Sequence, residues 1–198
     1  MHMSSDLSAV ILAGGRSLRF GSDKASAIFG GRRMIDHVAD ACRAIVESLF
    51  VSVHDDSVDY AVEDAIQVVD RIQGAGPLVG LEAGMLAAQS CWLLVLACDM
   101  PMIDTATMRT LVAARTRGVA AVIARTPDQR IHPLCACYHV SILPRVQEQL
   151  AARRYSVTEL IECLKCVRYV DVPYEPLTNV NVSSDLAVSY EDPVHSKS

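Results

Sequence analysis

The chain has 198 residues, 51% of them apolar and 5% aromatic, with a formal charge of −5. That length suits one domain with a substantial core, and the negative balance leaves no basic stripe to neutralise a nucleic-acid backbone. No apolar run approaches the roughly 20 residues needed to cross a bilayer, and the Met-His-Met-Ser-Ser start lacks a signal peptide's apolar stretch, so a cytoplasmic protein with neither nucleic-acid nor membrane partners is expected.

The first apolar run, Ala9 to Leu12, reads as a buried strand. It empties into Ala13-Gly14-Gly15-Arg16-Ser-Leu-Arg19-Phe-Gly21-Ser-Asp-Lys24, a loop suited to polyphosphate. Gly14 and Gly15 carry no side chains, so backbone amides there can approach an anion closely, while Arg16, Arg19 and Lys24 supply positive charge. The spacing fits neither the dinucleotide pattern G-x-G-x-x-G nor a P-loop, in which lysine and Ser or Thr directly follow the second glycine.

Further along, a helix is expected over Asp36 to Ser48, with Val38, Cys42, Ile45 and Leu49 on one stripe. Strands follow at Leu49 to Val53 and Ile66 to Val69, then a helix over Leu81 to Gln89 and a strand at Trp92 to Ala97. A helix over Thr107 to Arg117 precedes strands at Ala120 to Ala124, Leu134 to Tyr138 and Val167 to Val170. Such alternation produces a parallel sheet with helices on both faces. No internal repeat or linker divides the chain, so residues 1–198 are read as one domain with a core over about 8–188 and a frayed tail from Tyr190.

The cysteines Cys42, Cys91, Cys98, Cys135, Cys137, Cys163 and Cys166 form an odd set among apolar segments, as reduced thiols used for packing do. Cys163 and Cys166 have zinc-ligand spacing, but no second pair completes four ligands. Cys135 and Cys137 alternate along a strand and should point the same way.

In open α/β sheets ligands bind outside the carboxyl ends of the strands, so residues just after each apolar run carry the information. Asp70 follows the third run and leads into a turn shaped by Gly76, Pro77 and Gly80. It is either a ligand contact or a turn and cap residue. Asp99 follows the nearly continuous apolar run from Trp92, where a hard oxygen donor facing triphosphate can recruit Mg2+; the alternative is a structural cap. Asn179 and Asn181 would share one side of an extended segment and present amides to a second substrate or satisfy loop backbone. Ser183 or Ser184 could cap a short helix after them.

Leu12 through Lys24 matches L-A-G-G-x-S-x-R-[MF]-G-x-D-K at every specified position, and thereby resembles the molybdenum cofactor guanylyltransferases and their nucleotidyltransferase relatives. Paired glycines look more like the guanylyl than the cytidylyl branch. The resemblance continues through Asp70 to Gly80, similar to D-x(n)-G-x-G-P-L-x-G-I, through Cys98-Asp99-Met-Pro101, similar to the family's L-x-C-D-x-P, and through Asn179 to Leu186, similar to N-I-N-T-P-E-D-L. It implies a single-domain, Rossmann-like three-layer αβα sandwich with a mostly parallel sheet, of the nucleotide-diphospho-sugar-transferase kind. It further implies transfer of GMP from GTP to molybdopterin or Mo-molybdopterin, with release of pyrophosphate and no covalent enzyme intermediate. Arg19, Lys24 and Asp99 would be catalytic, with Asp99 the Mg2+ ligand. Substrate would be held by Leu12, Ala13, Gly14, Gly15, Lys24, His54, Asp70, Asp99, Asn179 and Asn181, Asp70 accepting from a guanine edge or a ribose hydroxyl. Other molybdenum cofactor biosynthesis or target enzymes are possible partners.

Some positions depart from the family. His54 stands where asparagine is common, Ala25-Ser26-Ala27 is smaller than expected, and Ser183-Ser184 replaces Thr-Pro. These put base choice in doubt more than reaction type. His132 stands where glutamine is frequent and reads equally as an acceptor contact or a surface histidine. Two other readings stay open: the same reaction with CTP, a cytosine-type cofactor or a phosphorylated sugar or alcohol, and a catalytically silent nucleotide-binding relative.

Overall fold

Alternating side-chain direction explains how one strand serves two layers. In the computed structural model, which describes residues 7–13 and 24–180, every residue of β1 (Leu7–Leu12) is buried. Ala9 and Ile11 face α1 (Met34–Arg43) and α3 (Thr105–Ala113), meeting a cluster that includes Ile35, Val38, Met108 and Leu111. Val10 and Leu12 face the other way, into a cluster built from α2 (Pro77–Ala87), α4 (Leu143–Ala151) and α5 (Val157–Cys163), with Leu78, Leu81, Val146 and Leu160. The result is a Rossmann-like α/β sandwich whose sheet is apolar on both faces.

Around β1 the sheet gathers β4 (Ser48–Val53), β5 (Ala65–Val69), β6 (Trp92–Ala97), β7 (Ala121–Arg125), β8 (Ile131–His139) and β9 (Val167–Asp171). Their order is β5-β4-β1-β6-β8-β7-β9, and β2 (Ile28–Phe29) with β3 (Arg32–Arg33) forms a separate small hairpin. All neighbours run parallel except β8, which is antiparallel to both β6 and β7. An all-parallel reading fails there because the link Thr126–Arg130 is too short for a crossover, which needs about a dozen residues or more.

Helix limits also differ from the sequence expectation. α1 begins at Met34 and stops at Arg43, because the Ile45 and Val46 amides turn back to the Cys42 carbonyl at 2.9 and 3.2 Å. Leu49 therefore belongs to β4, paired with Ala9, and not to the helical stripe. α3 starts at Thr105, where Asp104 caps it by accepting from the Thr107 amide at 2.7 Å. The turn expected through Gly80 ends earlier: Gly76, at φ +75°, is its last residue, and Pro77 opens α2 with its ring suited to the first helical position. α4 and α5, not anticipated, form the crossover that returns the chain to β9, parallel to β7.

Gly80 sits inside α2 because the helix lies hard against the sheet. A Cβ there would come within 2.5 Å of Ser52 Oγ and 2.7 Å of Leu12 Cδ2. Gly80→Ala is expected to lower stability by about 1–3 kcal/mol, since overpacking exceeds the gain of about 1 kcal/mol in helix propensity. Urea unfolding checks this: the midpoint should fall with an unchanged slope.

Candidate functional site

Three parallel strands end at one level. Leu12 pairs with Ser52 of β4 on one side and with Ala97 of β6 on the other. Beyond them the Ala13 amide donates to the Ser52 carbonyl at 3.0 Å, and the Cys98 amide donates to the Leu12 carbonyl at 3.3 Å. The chain reverses direction across the sheet at this point, with β4 and β5 to one side of β1 and β6 to the other, which opens a crevice above the strand ends. A cavity of about 420 Å3 occupies it.

The expected site residues fall as follows. Leu12, Ala13, Lys24, Asp70, Asp99 and Asn179 all line the cavity. Lys24 Nζ lies 3.2 Å from Asp99 Oδ2, joining two residues 75 apart in sequence. The pair is screened only in part, with side-chain exposures of 24% and 16%. The Val180 amide donates to the Asp99 carbonyl at 3.0 Å, which brings Asn179 to the same wall. Gly14, Gly15, Arg16, Arg19, Asn181, Ser183, Ser184 and the tail from Tyr190 lie outside the described residues. His54 does not line the cavity; it stands near enough to Asp70 to act on its charge.

Asp70 is 8% exposed and accepts a 2.6 Å hydrogen bond from Ser52 Oγ. Burial pushes its pKa above the ordinary carboxylate value, while the Ser52 bond and His54 pull it back. Ser52 was missed by the sequence reading, although a lone hydroxyl in Leu-Phe-Val-Ser-Val was the signal available. Arg130, Ile131, His132, Pro133 and Leu134 form the opposite wall. Because β8 runs antiparallel, its first residues reach the carboxyl end of β6, so attention to the residues after each strand passes over all of these; His132 was singled out only by its place in the family resemblance.

Among the described residues no group of three or more His, Cys, Asp or Glu side chains stands together, and Cys163 and Cys166 are exposed. Cys135 and Cys137 point into the same cluster, and burial pushes the Cys137 thiol up to about 12 and Cys135 higher still.

Residues 9–166 match the MobA-like NTP transferase domain. The chain belongs to that family. The "probable molybdenum cofactor guanylyltransferase" of Deinococcus radiodurans is 37% identical over 183 residues, covering 91% of this chain and 92% of its relative. The crystal structure of molybdopterin-guanine dinucleotide biosynthesis protein A from Archaeoglobus fulgidus superposes with a TM-score of 0.74 at 20% identity, over 90% of this chain and 94% of that one. A Mycobacterium tuberculosis protein solved in complex with manganese superposes with a TM-score of 0.64 at 17% identity, over 84% and 88%. As a MobA-like NTP transferase the chain is a nucleotidyltransferase.

Asp70 makes a pH-dependent prediction for this family member. A carboxyl whose native pKa is raised contributes stability that is fully present below its unfolded pKa, about 3.9, and is lost as pH rises through the native value. Asp70→Asn should thus be more stable than the parent at pH 8, with the advantage vanishing near pH 3.5, as read by paired thermal melts across that range.

Proposed function

We propose that the chain transfers GMP from GTP to the terminal phosphate of molybdopterin or Mo-molybdopterin, forming molybdopterin guanine dinucleotide. The observation that carries this reading is the Lys24–Asp99 pair in the crevice, with cation and carboxylate 3.2 Å apart between the ends of β1 and β6. A nucleotidyltransferase needs charge of both signs there. An oxygen of the acceptor phosphate attacks the α-phosphorus of GTP, and the bond from that phosphorus to the bridging oxygen breaks as pyrophosphate departs. Lys24, with Arg19 and the glycine amides, holds the triphosphate and stabilises charge on the leaving group. Asp70 accepts from the guanine edge or the ribose, and Asn179 and Asn181 offer amides to the second substrate. The protein's main work is holding two anions in line against their repulsion.

Asp99 fits Mg2+ as a single hard carboxylate at a strand end, the donor number Mg2+ accepts when phosphate oxygens and water complete its shell. When bound, the metal neutralises phosphate charge. No helix among the described residues is long and apolar enough to cross a membrane, and we assign the reaction to the cytoplasm in one domain over residues 1–198.

Pyrophosphate release with molybdopterin, Mg2+ and each nucleoside triphosphate tests the reading. GTP is expected to be preferred, EDTA to abolish turnover, and Asp99→Ala to lose roughly 10²-fold or more, the scale of removing a key charge stabiliser. Equal turnover in Asp99→Ala would take that residue out of the mechanism, and a preference for CTP would replace the guanylyl assignment.

A further inference from the structure

The link between β7 and β8 carries a hydrogen-bonded chain that the reaction described above leaves unused. Thr126 is 2% exposed. Its Oγ1 lies 2.6 Å from Asp128 Oδ1, 3.1 Å from the Arg130 carbonyl oxygen and 3.1 Å from His132 Nε2. A hydroxyl has one proton to donate. The carboxylate is both the nearest acceptor and the charged one, and the Thr126 bond holds its pKa below the ordinary value, so the proton is committed to Asp128.

His132 Nε2 must then be the donor to Thr126, because two lone pairs facing each other at 3.1 Å would repel. Burial pushes the imidazole pKa down, with the Arg130 charge acting the same way and Asp128 opposing, which favours the neutral ring. A neutral ring with its proton on Nε2 has its lone pair on Nδ1. Among the described residues Nδ1 has no hydrogen-bond partner. His132 lines the cavity on the β8 side, across Asp99 from Asp70.

We infer that His132 is a specificity-determining residue for the acceptor: Thr126 and Asp128 fix its tautomer, and Nδ1 accepts a hydrogen bond from an N–H group on the acceptor's heterocycle. This rests on the functional reading above. The lone pair has little use as a base toward the acceptor phosphate, because a phosphate monoester with a second pKa of about 6 is already mostly dianionic at neutral pH. Beside such an anion an unprotonated nitrogen would be repelled, so an N–H donor, as a pterin ring offers, is the group it matches. Thr126 and Asp128 act only through the ring and are positioning residues.

The test combines spectroscopy with kinetics on the full chain. Long-range 15N–1H spectra of the ligand-free protein should show His132 neutral with its proton on Nε2, and Thr126→Val should mix the tautomers while Thr126→Ser restores the single form. A proton on Nδ1, or a Thr126→Val spectrum like the parent's, overturns the proposal even if no substrate turns over. With molybdopterin, His132→Phe should raise the acceptor KM about tenfold, the size of one lost hydrogen bond to a neutral group, and leave GTP affinity within about twofold. Thr126→Val should fall between them and Thr126→Ser near the parent. An unchanged acceptor KM in folded His132→Phe, or GTP affinity falling in step with it, overturns the proposal. Failure of the parent to turn over GTP with molybdopterin would instead defeat the functional reading, and the tautomer result would stand apart from it.

Discussion

The pairing of β1 between β4 and β6 is the constraint on which the rest of the molecule depends. Because both pairings are parallel and in register to the last residue, Leu12, Ser52 and Ala97 finish side by side, and the segments after them emerge at the same edge. Parallel strands cannot be joined by a hairpin, so each is reached by a longer connection over a face; α1, α2 and the α4–α5 pair lie in such connections, while residues 54–64 link β4 to β5 without a helix. That requirement covers both sides of the sheet and leaves the strand ends as the open place. Gly80 and Gly84 bring no Cβ against Ser52, Leu12 and Val10, which lets α2 seat closely beside that edge.

Three carboxylates near this edge sit in three different environments. Asp99 shares the cavity with Lys24 and remains partly open to solvent. Asp70 is buried and leans on a hydroxyl, which leaves its charge poorly compensated by the protein. Glu82, fully buried on α2, is gripped by Arg71 through both Nε and Nη2, so the segment following Asp70 is tied down to the helix. The paired guanidinium compensates a carboxylate buried at that depth. The contrast separates a structural acid from two that keep unsatisfied capacity facing the cavity.

The single reversed strand gives the crevice two unlike walls. On the β1 and β4 side, residues that follow strands supply Ala13 and Asp70. On the β8 side, residues that open a strand supply Arg130 and His132. A short link that could not cross over therefore set which side chains form the second wall of the crevice. The shift in register between Ile123 and Ala124 accompanies that link and seats His132 opposite Ala124.

Much of this protein was legible in its residue order. Apolar-rich runs marked seven strands, most plainly the central ones buried along their length, which have no polar alternation to obscure them, and Trp92–Ala97 was read to its ends. Asp70 and Asp99 stood out because a charged group directly after such a run is costly unless it does something. What only the tertiary structure decided was distance between remote residues and direction of approach. The meeting of Lys24 with Asp99 depends on strand order, the hold of Ser52 on Asp70 depends on register, and the role of the segment before β8 depends on its orientation. Local pattern records which residues are buried and where the chain turns; it carries no term for contacts made across the sheet, and those contacts assemble the site.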